Sequence, residues 1–179
     1  MMTAPIPVNE DDRLHALRQL LILDTPPEER FDRVVSFASQ EFDVPIALIT
    51  LVDAERQWFK ASIGLDVCET SRDISFCGHA ILTDDTMVVA DASQDPRFSD
   101  NPLVTGQPLI RFYAGAPLKL PSGENIGTIC LIDRTPRTLD KVDLAILASL
   151  RDLVVEELIQ QNAIAVSYTH LTLPTILLV

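Results

Sequence analysis

The sequence predicts an α+β fold, in which an antiparallel sheet of about five or six strands is flanked by helices from both ends of the chain. Three observations lead to this class. Helical patterns open the chain, two strand pairs are each joined by a polar turn, and a long helical pattern follows the second pair. The 179 residues suit one domain with a substantial core rather than two.

Two helices are predicted at the start. Asn9 is a favourable N-cap, and residues 10–12 are acidic, which suits the first turn of a helix that ends near Asp24. A second helix is expected from Thr25 as its cap and Pro26 as its first residue. It runs to about Glu41.

A hairpin follows these helices. Ile46 to Val52 is an unbroken apolar run, which is typical of a central strand covered on both faces. A polar turn leads to residues 57–63, whose alternation places Phe59 and Ala61 on the same predicted face. Two strands joined this way predict antiparallel pairing.

The middle of the chain, residues 64–108, is irregular and rich in Asp, Ser and Pro. In it we expect a helix over 75–82, a strand at 87–90 and a helical turn near 95–98. A second hairpin is predicted from strands at 112–118 and 125–132.

The last predicted helix starts at Thr138 or Asp140. Its apolar residues are spaced three or four apart: Leu144, Leu147, Leu150, Val154 and Leu158. Such a seam fits either the sheet or a twin helix from a second chain.

Composition excludes several classes of function. The net charge of −12 opposes binding to nucleic acid or to an anionic membrane surface. The apolar run 44–52 is too short to cross a bilayer. Three cysteines form no complete disulfide set, which favours a cytoplasmic location.

Several segments together carry a family resemblance. They are residues 22–32 (ILDTPPEERFD), 44–49 (VPIALI), 56–60 (RQWFK), 75–81 (SFCGHAI), 91–98 with its DPRF, 111–118 (RFYAGAPL) and 126–133 (IGTICLID). In this order they resemble the GAF domain family over residues 8–162. The resemblance implies helices packed on one face of the sheet, and a small-molecule pocket under loops on the other face. It also implies a non-catalytic sensory role ahead of a histidine kinase, a diguanylate cyclase or a cyclic di-GMP phosphodiesterase.

The domain boundaries follow from this. We expect a disordered arm over residues 1–8 and the sensory domain, with its flanking helices, over 9–162. Residues 163–179 are interpreted as a non-native read-through tail, because Val166 to Val179 hold no charged residue and resemble a translated sequencing adaptor. The alternative is a genuine C-terminal strand.

The candidate pocket residues lie in the irregular middle and on the strand after it. They are Phe76, Cys77, His79, Asp91, Arg97, Phe98, Phe112 and Tyr113. Aromatic walls with a few polar groups suit a small-molecule pocket. The alternative is that the aromatic residues are core and that Arg97 ties its loop to Asp91 or Asp95.

Other chemistry has weaker support. Cys77 and His79 supply two metal ligands and Cys68 a third, whereas zinc prefers four, so no metal is expected. No covalent chromophore is expected, because Gly78 separates the cysteine from the histidine. A thiol enzyme resembling free methionine sulfoxide reductase is a further alternative, although Cys130 lies in the middle of an apolar strand. No catalytic motif for phosphate, zinc-protease or serine-hydrolase chemistry is present.

We therefore expect a homodimer joined through the first and last helices. An unidentified small molecule in the pocket would shift the last helix, which leads to an output domain. A purely structural dimerisation module remains an alternative.

Overall fold

The structure is a computed structural model that describes the backbone of residues 1–177 and the side chains of residues 1–160. Its helices are α1 (Glu10–Gln19), α2 (Glu29–Phe42), α3 (Phe76–Ala80), α4 (Pro102–Thr105) and α5 (Lys141–Leu177). Its strands are β1 (Ile46–Val52), β2 (Arg56–Ile63), β3 (Glu69–Ser71), β4 (Met87–Val89), β5 (Phe112–Lys119) and β6 (Asn125–Asp133). Short 3₁₀ turns cover Arg72–Ile74 and Ala92–Gln94.

The strands form one six-stranded sheet in the order β3-β2-β1-β6-β5-β4. Every neighbouring pair is antiparallel, which confirms the predicted class. The two hairpins are joined because β1 pairs with β6 from Ile46↔Ile132 to Leu51↔Gly127. A Cβ at Gly127 would lie 1.9 Å from the Thr50 carbonyl oxygen, so this close pairing requires glycine.

The two faces of the sheet carry separate cores. On the first, which we call the helix face, α1, α2 and α5 pack through buried residues such as Leu17, Phe31 and Val154. On the second, the loop face, α3 and the irregular segments pack through residues such as Phe76 and Phe98. This arrangement of helices on one face and loops on the other is the one that the resemblance implies.

A bulge in β2 changes the predicted alternation. Ile49 pairs with Ala61 and Thr50 with Phe59, so Lys60 is an extra residue in the strand. Phe59 therefore packs in the loop-face core and Ala61 in the helix-face core. The expectation that these two residues share a face was wrong, because one inserted residue reverses the period of two.

The extra residue is a buried cation. The Lys60 side chain is 0% exposed and lies 2.7 Å from Glu28 Oε2. Its Nζ also donates to Thr25 Oγ1 at 2.8 Å and to the Pro26 carbonyl at 2.7 Å. Burial of an ammonium group requires such compensation, and the contacts fix the segment before α2 against β2.

Helix α2 begins later than predicted. Glu28 is still extended, with φ −132° and ψ 136°, although a start at Thr25 and Pro26 was expected. Pro27 disfavours helical angles at Pro26, so the helix forms only beyond both prolines. The Thr25 hydroxyl instead donates to the Ile22 carbonyl.

Helix α5 begins as predicted. Asp140 Oδ1 accepts from the Asp143 amide at 2.8 Å, and Asp143 Oδ2 accepts from the Asp140 amide at 3.1 Å. These reciprocal bonds cap the helix. Leu147, Leu150 and Val154 belong to the helix-face core, so the predicted seam packs on the sheet.

The C-terminal tail lies partly outside the described residues. The backbone continues as helix to Leu177 rather than as the strand given as an alternative. The side chains of 161–179 and the backbone of 178–179 are not described, so the interpretation as read-through stays a prediction. No helix in the part of the chain that is described combines the length and the apolar character needed to span a membrane.

The irregular middle contains two elements that the sequence pattern did not indicate, the polar edge strand β3 and the short helix α4. The helix expected over 75–82 is α3, where Ser75 Oγ accepts from the Gly78 amide. The expected turn near 95–98 closes through the Phe98 amide on the Asp95 carbonyl. A further short helix, α4, follows it.

The N-terminal arm, residues 1–8, forms neither helix nor strand. It nevertheless contacts the loop face, where the Met2 carbonyl lies 3.2 Å from His79 Nε2. The amino group of Met1 lies 2.6 Å from Asp100 Oδ2. The arm therefore packs over α3 and the turn that follows Phe98.

Candidate functional site

The aromatic residues predicted for a pocket form a packed cluster. The rings of Phe76 and Phe98 stack with centroids 4.0 Å apart and an interplanar angle of 8°. Tyr113 lies 5.2 Å from Phe76, and His79 contacts Phe98 edge-on at 4.9 Å. Phe76, Phe98 and Tyr113 are at most 3% exposed. These rings fill the space between the sheet and α3, which agrees with the core alternative.

The polar side chains predicted for the pocket, Asp91 and Arg97, instead bind groups in their own loops. Asp91 Oδ1 accepts from the Ser93 amide and hydroxyl and so starts a 3₁₀ turn. Arg97 pairs with Asp95 at 2.8 Å and lies over the Phe98 ring. Arg97 therefore ties its own loop, as the alternative interpretation proposed.

Phe112 lies apart from the others. Its side chain belongs to the helix-face core, whereas Tyr113, the next residue in β5, belongs to the loop-face core. Alternation along the strand separates these neighbours, so Phe112 cannot line a pocket on the loop face.

Cys77 belongs to a buried polar chain across the sheet. Its Sγ lies 3.1 Å from the Tyr113 hydroxyl and accepts from Thr128 Oγ1 at 3.1 Å. Thr128 Oγ1 also lies 3.0 Å from Thr50 Oγ1. These hydrogen bonds pair polar groups that would otherwise be unsatisfied within an apolar core.

Burial and hydrogen bonding act in opposite directions on the pKa of the Cys77 thiol. Burial acts to raise the pKa of Cys77, but hydrogen bonds from Cys130 and the three hydroxyls outweigh it and lower the pKa to about 7. Burial raises the pKa of Cys130 well above its ordinary value. Both side chains are 1% exposed, so solvent does not reach them in the folded protein.

A cavity lies beside this cluster, under the segments that roof the loop face. It has a volume of about 360 Å³ and its walls are mainly apolar. We call it the loop-face cavity. The lining residues are Leu48, Gln57, Phe59, Gly64, Leu65, Asp66, Val67, Thr70, Leu103, Gln107, Pro108, Ile110, Ile132 and Arg134. None of the eight predicted pocket residues is among them.

The loop-face cavity has a small set of polar groups. Gln57 Oε1 accepts from the Ser75 hydroxyl. Thr70 Oγ1 is buried and has no hydrogen-bond partner among the described residues. Asp66 and Arg134 add one charge of each sign. An apolar cavity with few polar groups is the usual form of a small-molecule site.

The loop-face cavity is connected to α5 through the end of β6. Ile132 and Arg134 line it, and Asp133 between them pairs with Arg137 at 2.8 Å. Arg137 in turn donates to the Phe42 carbonyl at the end of α2. Helix α5 begins four residues later, at Lys141. These contacts join the cavity wall to the end of α2 and to the segment that precedes α5.

The lining residues come from elements far apart in sequence, which explains why no local motif marked them. Leu48 and Ile132 are on β1 and β6, Leu103 is on α4, and Ile110 lies between α4 and β5. Phe59 was placed in a strand and in the segment 56–60 of the family resemblance, but it was not predicted as a pocket residue. Among the described residues, no group of three metal-binding side chains gathers at any point.

Comparison with known proteins agrees with this architecture. A family model described as GAF domain matches residues 26–158. A cyclic di-GMP phosphodiesterase of Pseudomonas aeruginosa is 48% identical over 156 residues, which cover 87% of this chain and 27% of that protein. The chain thus spans about a quarter of the length of this relative.

Solved structures show the same fold at low identity. The GAF domain from an Acinetobacter phosphoenolpyruvate-protein phosphotransferase matches with a TM-score of 0.62 and 18% identity, covering 86% of this chain and 97% of that one. A free methionine-R-sulfoxide reductase from Neisseria meningitidis matches with a TM-score of 0.61 and 18% identity, covering 92% and 99%. At these identities the likeness concerns the fold and not the chemistry.

Proposed function

The chain belongs to the GAF domain family, and from this premise we propose that it is a non-catalytic sensory module that binds a small molecule in the loop-face cavity. Members of one fold carry many functions, so the proposal depends on the site. Its volume of about 360 Å³ lies within the range of small-molecule pockets, roughly 300–1,000 Å³.

The observation that carries the proposal is the Thr70 hydroxyl. This group is buried, has no hydrogen-bond partner among the residues described, and belongs to the wall of a mainly apolar cavity. An unpaired buried hydroxyl is unfavourable, and a bound molecule with one polar atom would satisfy it. The expected ligand is therefore mainly apolar and carries a hydrogen-bonding group near Thr70.

The signal would leave through α5. Ile132 touches the ligand site, and Asp133 and Arg137 tie the end of β6 to α2. A ligand that binds two positions of this segment unequally shifts their populations, and about 1.4 kcal/mol of difference gives a tenfold change.

The activity of the output domain is proposed from the similar phosphodiesterase. Because the chain resembles a quarter of a cyclic di-GMP phosphodiesterase, we propose that it regulates a phosphodiesterase domain that α5 precedes. A diguanylate cyclase or a histidine kinase of a two-component system is the other output that the resemblance implies.

The loop-face cavity does not support the thiol-enzyme alternative. Cys68 is exposed, whereas Cys77 and Cys130 are buried, and none of the three lines the loop-face cavity. A reductase that uses cysteines needs a thiolate in contact with its substrate. The fold shared with such a reductase does not supply that contact.

We propose homodimerisation through the first and last helices on the basis of exposed apolar side chains. The seam of α5 faces the sheet, so a partner would use the outer row of the helix, where Leu153 is 44% exposed. The second helix, α2, adds Phe37, which is 49% exposed, whereas α1 has no exposed large apolar side chain. Exposed apolar side chains on neighbouring helices are typical of interaction surfaces.

The experiment is native mass spectrometry of the protein purified from its own host. The expected result is a co-purified small molecule that binds the natural protein. The Leu103→Trp variant should lose this molecule, because the indole ring occupies the loop-face cavity. Val88→Trp, on the edge strand β4 and outside the cavity, is the matched control and retains the molecule. A mass equal to that of the polypeptide alone would contradict the proposal.

A further inference from the structure

The buried amide of Gln57 has one free end at the loop-face cavity. The residue is 6% exposed and lines the cavity. Its Oε1 accepts from the Ser75 hydroxyl, whereas its Nε2 makes no hydrogen bond to a described residue. Unlike Thr70 Oγ1, this nitrogen is not fully enclosed by protein atoms. Because the rest of the residue is covered, Nε2 is exposed to the cavity that Gln57 lines.

The orientation of this amide follows from its contact with the start of α3. Ser75 Oγ accepts from the Gly78 amide at 3.0 Å, so the hydrogen of the serine hydroxyl needs an acceptor of its own, and Gln57 Oε1 supplies it. With the two ends of the amide exchanged, the serine hydrogen would face the N–H groups of Gln57 instead of an acceptor. The group left for the cavity is therefore Nε2, which carries two N–H donors and no acceptor.

The charges around the loop-face cavity favour an uncharged ligand. Asp66 and Arg134 contribute one charge of each sign, and both are exposed to solvent, which screens them. Asp133, beside the cavity, is already paired with Arg137 at 2.8 Å. The wall therefore has no net charge that would compensate a buried ion, and burial of an uncompensated ion is costly.

An aromatic ring lies next to the free donor. Gln57 and Phe59 are two residues apart in β2, before the bulge, and both line the cavity. Side chains in this relation share a face of the sheet and stand about 7 Å apart. A flat apolar group can therefore pack against Phe59 while an oxygen attached to it reaches Gln57. The buried side chains of Leu48, Ile110 and Ile132 complete an apolar surface for the rest of the molecule.

We propose that Gln57 determines the specificity of the loop-face cavity, and that the ligand is an uncharged carbonyl compound, such as a ketone, ester or amide, with a flat apolar body. The carbonyl oxygen accepts an N–H from Gln57 Nε2, and the apolar body packs against Phe59. This inference rests on the proposed sensory function and narrows its ligand to one chemical class. Ser75 and Gly78 act as positioning residues, because they hold the amide with its nitrogen toward the cavity.

The test compares two probes of the same shape. Acetophenone carries a carbonyl group on an aromatic ring, whereas α-methylstyrene has a CH₂ group in place of the oxygen and accepts no hydrogen bond. Each is titrated into the ¹⁵N-labelled chain, and NMR follows the side-chain amide of Gln57 and the backbone amides of Leu48 and Ile132. The expected result is a saturable shift of the Gln57 side-chain amide with acetophenone, and binding at least tenfold tighter than that of α-methylstyrene.

A pair of variants tests the donor itself. Gln57→Glu keeps an oxygen for the Ser75 hydroxyl but replaces the two N–H donors by a second oxygen. At about pH 8, where an accessible carboxyl group is ionised, it should bind acetophenone at least tenfold more weakly than the natural protein does. It should bind 1-phenylethylammonium, which has the same carbon skeleton and N–H donors, more tightly.

The matched control is Gln94→Glu. Gln94 is an exposed amide in a 3₁₀ turn on the loop face and does not line the cavity. This variant should bind both probes as the natural protein does. If Gln57→Glu does not fold, the comparison of acetophenone with α-methylstyrene in the natural protein still decides the matter.

Three outcomes would overturn carbonyl recognition by Gln57. They are equal affinity for acetophenone and α-methylstyrene, equal effects of the Gln57 and Gln94 variants, and the absence of a saturable shift at the Gln57 side chain. Equal binding of the two probes, with shifts at Leu48 and Ile132, would refute this inference while leaving the cavity as a binding site. The sensory proposal fails on a different measurement, a native mass that shows no co-purified molecule.

Discussion

Gln57 and Thr70 are cross-strand partners in β2 and β3, and both line the loop-face cavity. Gln57 Oε1 accepts from the Ser75 hydroxyl, whereas the Thr70 hydroxyl has no hydrogen-bond partner within the described part of the chain. Directly paired residues place their side chains on the same face of a sheet. The three-residue strand β3 therefore presents one open polar group to the cavity, next to one that is already satisfied.

The first prediction concerns this hydroxyl. Thr70→Val replaces an unpaired buried hydroxyl by a methyl group of similar shape, so the free energy of unfolding in urea should be unchanged or up to about 1 kcal/mol higher. Thr50→Val is the matched control, because its hydroxyl is 3.0 Å from that of Thr128 and its loss should cost about 1–2 kcal/mol. Equal losses in both variants would show that Thr70 is hydrogen-bonded in the protein.

The second prediction is a pH dependence of stability that depends on Glu10. Burial acts to raise its pKa, but the hydrogen bonds and charges of Arg13 and Arg72 outweigh this and lower the pKa to about 2. Because the folded-state pKa lies below the unfolded value of about 4.5, the stabilisation is complete above pH 4.5 and declines toward pH 2. Solvent contact limits it to about 1–2 kcal/mol.

Urea unfolding between pH 7 and pH 2.5 checks the Glu10 prediction. Glu10→Gln should be less stable than the natural protein at neutral pH, and the difference should shrink as the pH falls below 4.5. A difference that is the same at every pH would mean that the carboxylate is not the stabilising species.

The third prediction tests the buried cation in the bulge. Lys60→Met removes the partner of Glu28 and of the Pro26 carbonyl, and should lower the free energy of unfolding by about 2–4 kcal/mol. Lys60→Met combined with Glu28→Gln should recover part of this loss, because the carboxylate that has lost its cation is also removed. Strictly additive losses in the double variant would contradict the pairing.

The fourth prediction concerns thiol access. Only Cys68 is exposed, so a thiol reagent should label one cysteine rapidly in the folded protein and three in denaturant. Although hydrogen bonds lower the pKa of Cys77 to about 7, its burial should keep it unreactive. The folded Cys68→Ser protein should show no rapid labelling. Rapid reaction at Cys77 would revive the thiol-enzyme alternative.

The fifth prediction concerns association through α5. Leu153→Glu places a charge in the outer row of the helix and should weaken a dimer at least tenfold, as measured by sedimentation velocity over a range of concentrations. Val88→Glu changes a residue that is 38% exposed on the edge strand β4 and should have no effect. A natural protein that stays monomeric at the highest concentration would refute the dimer.

The sheet could be predicted because its strands carry strong local signals. The apolar run of β1 and the turn between β5 and β6 are readable in the sequence alone. The bulge at Lys60 was not, because an extra residue is defined only by the partner strand. The late start of α2 depended on two prolines whose effects oppose each other, one favouring a helix start and the other excluding it.

The candidate site was harder to predict than the fold. Phe76 and Phe98 were chosen as pocket walls, but such rings stack on each other at 4.0 Å as readily as they surround a ligand. The loop-face cavity is lined by β1, β2, β6 and the loops that the sheet order brings together. Neither the order of the strands nor an unpaired hydroxyl such as Thr70 is visible in a linear pattern.

Because β2 contains an inserted residue, the number of residues in this strand cannot be changed without moving side chains from one face of the sheet to the other. Before Lys60, the side chains of Gln57 and Phe59 line the loop-face cavity. After Lys60, the side chain of Ala61 packs in the helix-face core. Deleting one residue there would not simply shorten the strand. It would turn either Phe59 away from the cavity or Ala61 away from α2. Homologues and engineered variants should therefore tolerate changes of side chain at this point far better than changes in residue count.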